Sequence, residues 1–119
     1  MPWEVEYTAQ FSEWWAQLAE PEQRALDFAV EHLEADGPAL GRPLVDTITG
    51  SRHANMKELR PRGGNLRVLF AFDLRRMAIL LLGGDKTGQW NVWYRHMIPL
   101  ADDLYDEHLE TLRREGLLS

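Results

Sequence analysis

Lys57-Glu58-Leu59-Arg60-Pro61-Arg62-Gly63-Gly64-Asn65-Leu66-Arg67-Val68-Leu69-Phe70-Ala71-Phe72-Asp73 is the stretch that decides the fold. A period of two runs through its second half. Leu66, Val68, Phe70 and Phe72 fall on one face of a strand, and Arg67, Leu69 and Ala71 fall on the other. Pro61-Arg62-Gly63-Gly64 supplies turn residues. The stretch therefore predicts a hairpin of strands 55–60 and 65–73. Leu74-Arg75-Arg76 is a tight connection to Met77–Leu82, which is apolar on both faces and is expected inside the sheet. Gly83-Gly84-Asp85-Lys86-Thr87-Gly88 is expected to break that strand.

Outward from this core the period changes. Trp3-Glu4-Val5-Glu6-Tyr7 alternates like a half-buried strand. Thr8 is placed to cap a helix through Phe11, Trp14, Trp15 and Leu18. Pro21 opens a second helix, which carries Leu26, Ala29 and Leu33 and ends near Asp36-Gly37-Pro38. The two helices should form an αα-hairpin. Residues 37–53, rich in glycine and proline, read as a long loop. Pro99 is taken as the start of the last helix, with Leu104, Tyr105, Leu109 and Leu112 as a buried stripe. Asp102, Asp103, Asp106, Glu107 and Glu110 should then stay in water. The fold class is α+β in the order β-α-α-β-β-β-α. A small antiparallel meander carries the N-terminal αα-hairpin and the C-terminal helix packed on one face.

One domain, 1–119, accounts for the whole chain. Without cysteine, disulfide scaffolds, Cys-ligated zinc and thiol catalysis are excluded. The apolar run Met77–Leu82 is too short to span a bilayer, and Met-Pro-Trp-Glu does not open a signal peptide. A soluble cytoplasmic protein with no membrane partner is expected. The net charge of −6 is unevenly spread. Residues 1–51 hold two basic and ten acidic side chains, whereas residues 52–76 hold seven basic against two acidic. That asymmetry points to a local polyanion site on an acidic body.

Familiar hydrolase motifs are missing, and the glycines around Lys86 lack phosphate-loop spacing. The histidines at 32, 53, 96 and 108 contain no i, i+4 pair, so neither a metal nor another cofactor is expected. The hairpin is the chemical unit. Glu58 and Arg60 share a strand face, and Arg67 joins them from the neighbouring strand, opposite the Phe70/Phe72 side. Guanidiniums bind phosphate through paired hydrogen bonds, and a carboxylate between them can serve as a general base. The same three residues also describe an ordinary cross-strand salt bridge.

Lys57-Glu58-Leu59-Arg60, Arg67 opening the next strand, the apolar strand 77–82 and the αα-hairpin before them resemble the RelE/ParE toxin superfamily. Leu82-Gly83-Gly84-Asp85-Lys86, Trp90, Trp93-Tyr94, Ile98-Pro99, Ala101-Asp102 and Leu104-Tyr105 are similar to its phage-derived, HigB-like branch. The resemblance implies the toxin of a type II toxin–antitoxin pair, acting as a metal-independent, ribosome-dependent mRNA endoribonuclease. It also implies a helix-turn-helix antitoxin as partner, in an oligomer with the toxin, and mRNA and the ribosome as targets. It gives Glu58 as base, Arg60 and Arg67 as phosphate clamp and Lys86 near the substrate. Lys57, Arg62, Tyr94, Arg95 and His96 become RNA-binding candidates, with His53 weaker. Lys57 should face the other side of its strand, and Tyr94 and Trp93 fit base stacking or core packing. The superfamily leaves two alternatives open: a ParE-like toxin that acts by binding gyrase, and a non-toxic interaction module. An acidic chain is a departure from the strongly basic nucleases of this kind.

Overall fold

The computed structural model describes residues 2–88 and 90–117, with Trp90 described through its backbone alone. The elements are β1 (Glu4–Tyr7), α1 (Ala9–Ala16), α2 (Glu20–Asp36), β2 (Val45–Thr47), β3 (Met56–Leu59), β4 (Leu66–Phe72), β5 (Met77–Asp85) and α3 (Trp90–Arg114). One sheet holds all five strands in the order β1-β5-β4-β3-β2. Strands β2 to β5 pair antiparallel. Strand β1 lies parallel to β5, with Val5 opposite Ala78. The sheet is therefore mixed rather than a pure antiparallel meander. The αα-hairpin between β1 and the rest of the sheet is the crossover that makes a parallel pair possible.

The helices cover both faces, where the sequence pattern had placed them on one. Helices α1 and α2 bury Phe11, Leu26, Ala29 and Leu33 against Val68, Phe70 and Leu80. Helix α3 buries Ile98, Ala101 and Tyr105 against Met56, Leu69, Ala71, Ile79 and Leu81 on the opposite face. Alternation along β4 and β5 feeds both cores at once, which explains why β5 is apolar on both sides.

Local chemistry fixes the element ends. The Thr8 hydroxyl accepts from the Phe11 amide at 3.0 Å and donates to the Leu81 carbonyl at 2.7 Å. It thus caps α1 and ties the helix to β5. Glu22 accepts from the Ala19 amide at the start of α2. Arg76 takes φ 66° in the β4–β5 turn, which confirms the tight connection there.

Four further expectations are corrected. The segment 37–53 is not all loop: a short 3-10 turn, Gly37–Ala39, precedes β2, which pairs Asp46 with Glu58. Gly83 and Gly84 do not break β5. They continue it because Trp14 and Trp93 press on them from opposite sides: a Cβ would lie 2.2 Å from Trp14 at Gly83 and 2.5 Å from Trp93 at Gly84. Pro99 does not start α3 but sits inside it. Tertiary burial on both sides of the proline, at Trp93 and at Ala101, holds the helix together across the missing N–H.

The fourth correction is Asp102, which is 2% exposed rather than solvated. It accepts from the Ser51 hydroxyl and, at 3.0 Å, from the Arg52 amide. Arg52 also pairs with Asp103 and Asp106, and His53 Nε2 lies 2.7 Å from Asp106. The acidic face of α3 is thus a clamp for residues 51–53. Among the described residues, no helix is long and apolar enough to cross a membrane.

Candidate active site

The register of the sheet gathers the polar residues of the hairpin. Glu58 is paired with Leu69, and Arg67 lies two residues before Leu69 opposite Gly84. All of them point to the α3 face, as does Lys86, two residues beyond Gly84. Asn65 brings the ends together by accepting the Lys86 amide at its carbonyl, at 3.1 Å. Tyr94 enters from α3, and its hydroxyl donates to Glu58 Oε2 at 2.6 Å. Arg60 Nε lies 3.3 Å from Glu58 Oε1, and Arg60 Nη1 lies 3.6 Å from Asp46. Lys86 Nζ lies 5.6 Å from the centre of the Tyr94 ring.

These groups converge as expected, but they are covered. Glu58, Arg67 and Lys86 are 4%, 8% and 2% exposed. The first turns of α3 lie over them, with the Trp93 ring against Gly84. Arg60 keeps about a third of its side chain in water. Arg67 donates through Nη1 to the carbonyl of Leu66 at 2.7 Å, while its Nε is buried with no acceptor. A buried donor without a partner is costly.

The electrostatics follow from this burial. Removal from water, then the bond to Glu58, raises the Tyr94 phenol to about 12. Tyr94 is therefore a proton donor across the physiological range. Burial and the neighbouring guanidinium of Arg67 push the Lys86 ammonium below the ordinary lysine range, with Glu58 opposing them. The cluster holds three cationic side chains, a phenol and the buried carboxylate of Glu58, with Asp46 at its edge.

Other sequence candidates lie apart. Lys57 sits on the opposite strand face, paired with Phe70. Arg62 is in the β3–β4 turn with its guanidinium over the Phe28 ring, 5.5 Å from its centre. Arg95 is exposed on α3. His96 is exposed too, but it lines a surface cleft of about 250 Å³ with Lys86, Thr87 and Trp93, which reaches the edge of the cluster. His53 belongs to the α3 clamp and not to the site. Sequence reading missed Asp46 and the covering role of Trp93. The signal for Asp46 was the short alternation Leu44-Val45-Asp46-Thr47-Ile48, hidden between glycine and proline. The signal for Trp93 was the glycine opposite it.

Comparison with known proteins agrees with this architecture. Residues 13–106 match the family model described as phage-derived protein Gp49-like. HigB3 of Mycobacterium tuberculosis is 50% identical over 93 residues, covering 78% of this chain and 82% of the relative. HigB2 of the same organism is 56% identical over 84 residues, covering 68% of this chain and 42% of the relative. Both carry toxin names. Among solved structures, an Escherichia coli RelE toxin variant in the free state superposes with a TM-score of 0.60 at 10% identity, over 94% of this chain and 99% of that one. The archaeal RelE–RelB complex from Pyrococcus horikoshii gives 0.58 at 17% identity, over 74% and 99%. At such low identity these two establish the fold alone. With its family model spanning most of the domain, the chain belongs to the phage-derived Gp49-like family, in the HigB-like branch of the RelE-type fold.

Proposed function

We propose that this protein is the toxin of a type II toxin–antitoxin pair and a metal-independent endoribonuclease acting on mRNA at the ribosome, in the cytoplasm. The observation that carries the reading is the convergence of Glu58, Arg60, Arg67 and Lys86 with Tyr94 on one sheet face. RNA cleavage without metal uses the adjacent 2′-hydroxyl as nucleophile. Glu58 takes its proton as the oxygen attacks phosphorus. Arg60 and Arg67 hold the phosphate and stabilise its added negative charge. The 5′ oxygen leaves with a proton, and the product ends in a cyclic 2′,3′-phosphate. Lys86, an ammonium eased toward neutrality by burial, is the best-placed donor of that proton. Tyr94 occupies Glu58 in the covered state, so the substrate must displace this turn of α3 before Glu58 can act.

The partner in this reading is a helix-turn-helix antitoxin, with which the toxin forms an oligomer. The test is induced expression with and without the adjacent antitoxin gene, followed by mapping of mRNA 3′ ends. New ends that carry cyclic phosphate, and that disappear in Glu58→Gln, are expected. Growth arrest with intact mRNA overturns the nuclease reading. The burial of Glu58 and Arg67 and the net charge of −6 favour the second reading, a toxin that inhibits by binding, as ParE-like relatives do with gyrase. Arrest that persists in Glu58→Gln selects that reading.

A further inference from the structure

The acidic half of the chain holds a groove that the proposed reaction does not use. It lies beside the sheet edge, between β1 on one side and α1 and α2 on the other, with a volume of about 330 Å³. Val5, Phe11, Trp15 and Val30 supply apolar walls, and Tyr7, 63% exposed, stands at the rim. Asp27 and Glu34 line the α2 side. With Glu31 they recur at four and three residues, so they form one stripe along the helix.

The charges of this stripe are uncompensated. Among the described residues of α2, the ion pair is Arg24 with Glu20, a turn away, and Glu6 of β1 is taken by Arg75. Asp27, Glu31 and Glu34 pair with no lysine or arginine among the described residues. The basic segment is compensated in part. Arg52 is engaged by Asp103 and Asp106, Arg60 by Glu58 and Asp46, and Arg75 by Asp73. The acidic stripe of α2 therefore has charge left to offer a partner.

We propose that this groove docks a lysine- or arginine-rich amphipathic helix of a partner protein, apolar face down and parallel or antiparallel to α2. An apolar trough accepts anchors at helical spacing, and a stripe of carboxylates with the same spacing pairs with cations on the flanks of such a helix. An extended strand would carry its charges at a period of two and miss that stripe. This inference stands whether or not the buried cluster cuts RNA.

The test uses the full chain, isotope-labelled, with a synthetic helix of about four turns bearing leucines on one face and lysines beside them. Amide shifts are expected at Val5, Tyr7, Trp15, Asp27, Val30 and Glu34, with affinity falling as salt rises. The double variant Asp27→Lys/Glu34→Lys should bind about tenfold more weakly or worse. Ser12→Trp, on an exposed position of α1 that lines the groove, should block binding without altering charge. Thermal melting of both variants confirms that they fold. Equal binding of a glutamate-flanked helix, shifts confined to residues 52–76 or α3, or absence of binding overturns the proposal. So does occupation of the groove by a second copy of the chain, seen as self-association in sedimentation.

Discussion

The Tyr94 hydroxyl donates to Glu58 Oε2 at 2.6 Å, joining the fifth residue of α3 to the middle of β3 across 36 positions of sequence. The bond links the covering helix to the buried carboxylate of the cluster. Tyr94→Phe removes the donor and leaves Glu58 buried with Arg60 as its remaining ion-pair partner. A loss of about 1–3 kcal/mol in unfolding free energy is expected, measured by denaturant titration. An unchanged midpoint would show that the bond contributes nothing net.

The raised Tyr94 phenol has a pH consequence. In the unfolded chain it ionises near 10, and in the folded protein at about 12. The unfolded state therefore loses its proton first. The stability contributed by Tyr94 is complete below about pH 10 and declines as pH rises through the folded value. Burial raises the Tyr105 phenol as well, so ultraviolet titration should show a late-ionising phase, and Tyr94→Phe should reduce its amplitude.

The two clamp arginines should behave differently. Arg60 is part-exposed, so Arg60→Ala is expected to remove mRNA cleavage while shifting stability by about 1 kcal/mol or less. Arg67 is buried against its own strand carbonyl, so Arg67→Ala should lower both activity and melting temperature. Melting curves and 3′-end mapping on the same preparations separate the effects. Identical melting of both variants would contradict the burial of Arg67.

At the far end of the sheet, His108 Nε2 lies 3.0 Å from Asp73, which also accepts from Arg75 at 2.8 Å. Burial alone would raise the Asp73 carboxyl, but the hydrogen bonds of His108 and Arg75 outweigh it and hold it below the usual range. Its contribution is present above the unfolded value near 3.9 and is lost as pH falls through the lower folded value. Asp73→Asn should cost about 3 kcal/mol at neutral pH and flatten the acid limb of the stability curve. An acid limb of unchanged slope would argue against it.

Truncation after Pro99 removes Ala101, Tyr105 and Leu112 from the core and Asp102 from the 51–53 clamp. Each large apolar side chain contributes roughly 1.5–3 kcal/mol, against a total of about 5–15 kcal/mol. The truncated chain should fail to melt cooperatively. A truncated chain that melts like the full one would show α3 to be dispensable for the fold.

Strand period, helix caps and the hairpin turn are local properties, and they were legible in the sequence. The alternation of β4, the Thr8 cap and the cluster Glu58, Arg60 and Arg67 on one side of the hairpin follow from residues a few positions apart. What tertiary structure alone decided involves partners distant along the chain. Gly83 and Gly84 read locally as a break but extend β5 because two tryptophan rings need their missing side chains. Pro99 reads as a helix start, yet burial on both sides of it carries α3 through. Asp102 reads as a solvated acid until the 51–53 segment arrives to donate to it. The burial of the cluster belongs to the same class. Sequence spacing places Glu58 and Arg67 on one face, but only the packing of α3 on that face determines that water is excluded from them. Local energies of about 1 kcal/mol set the elements, and the larger energy of burying two apolar faces sets where they go.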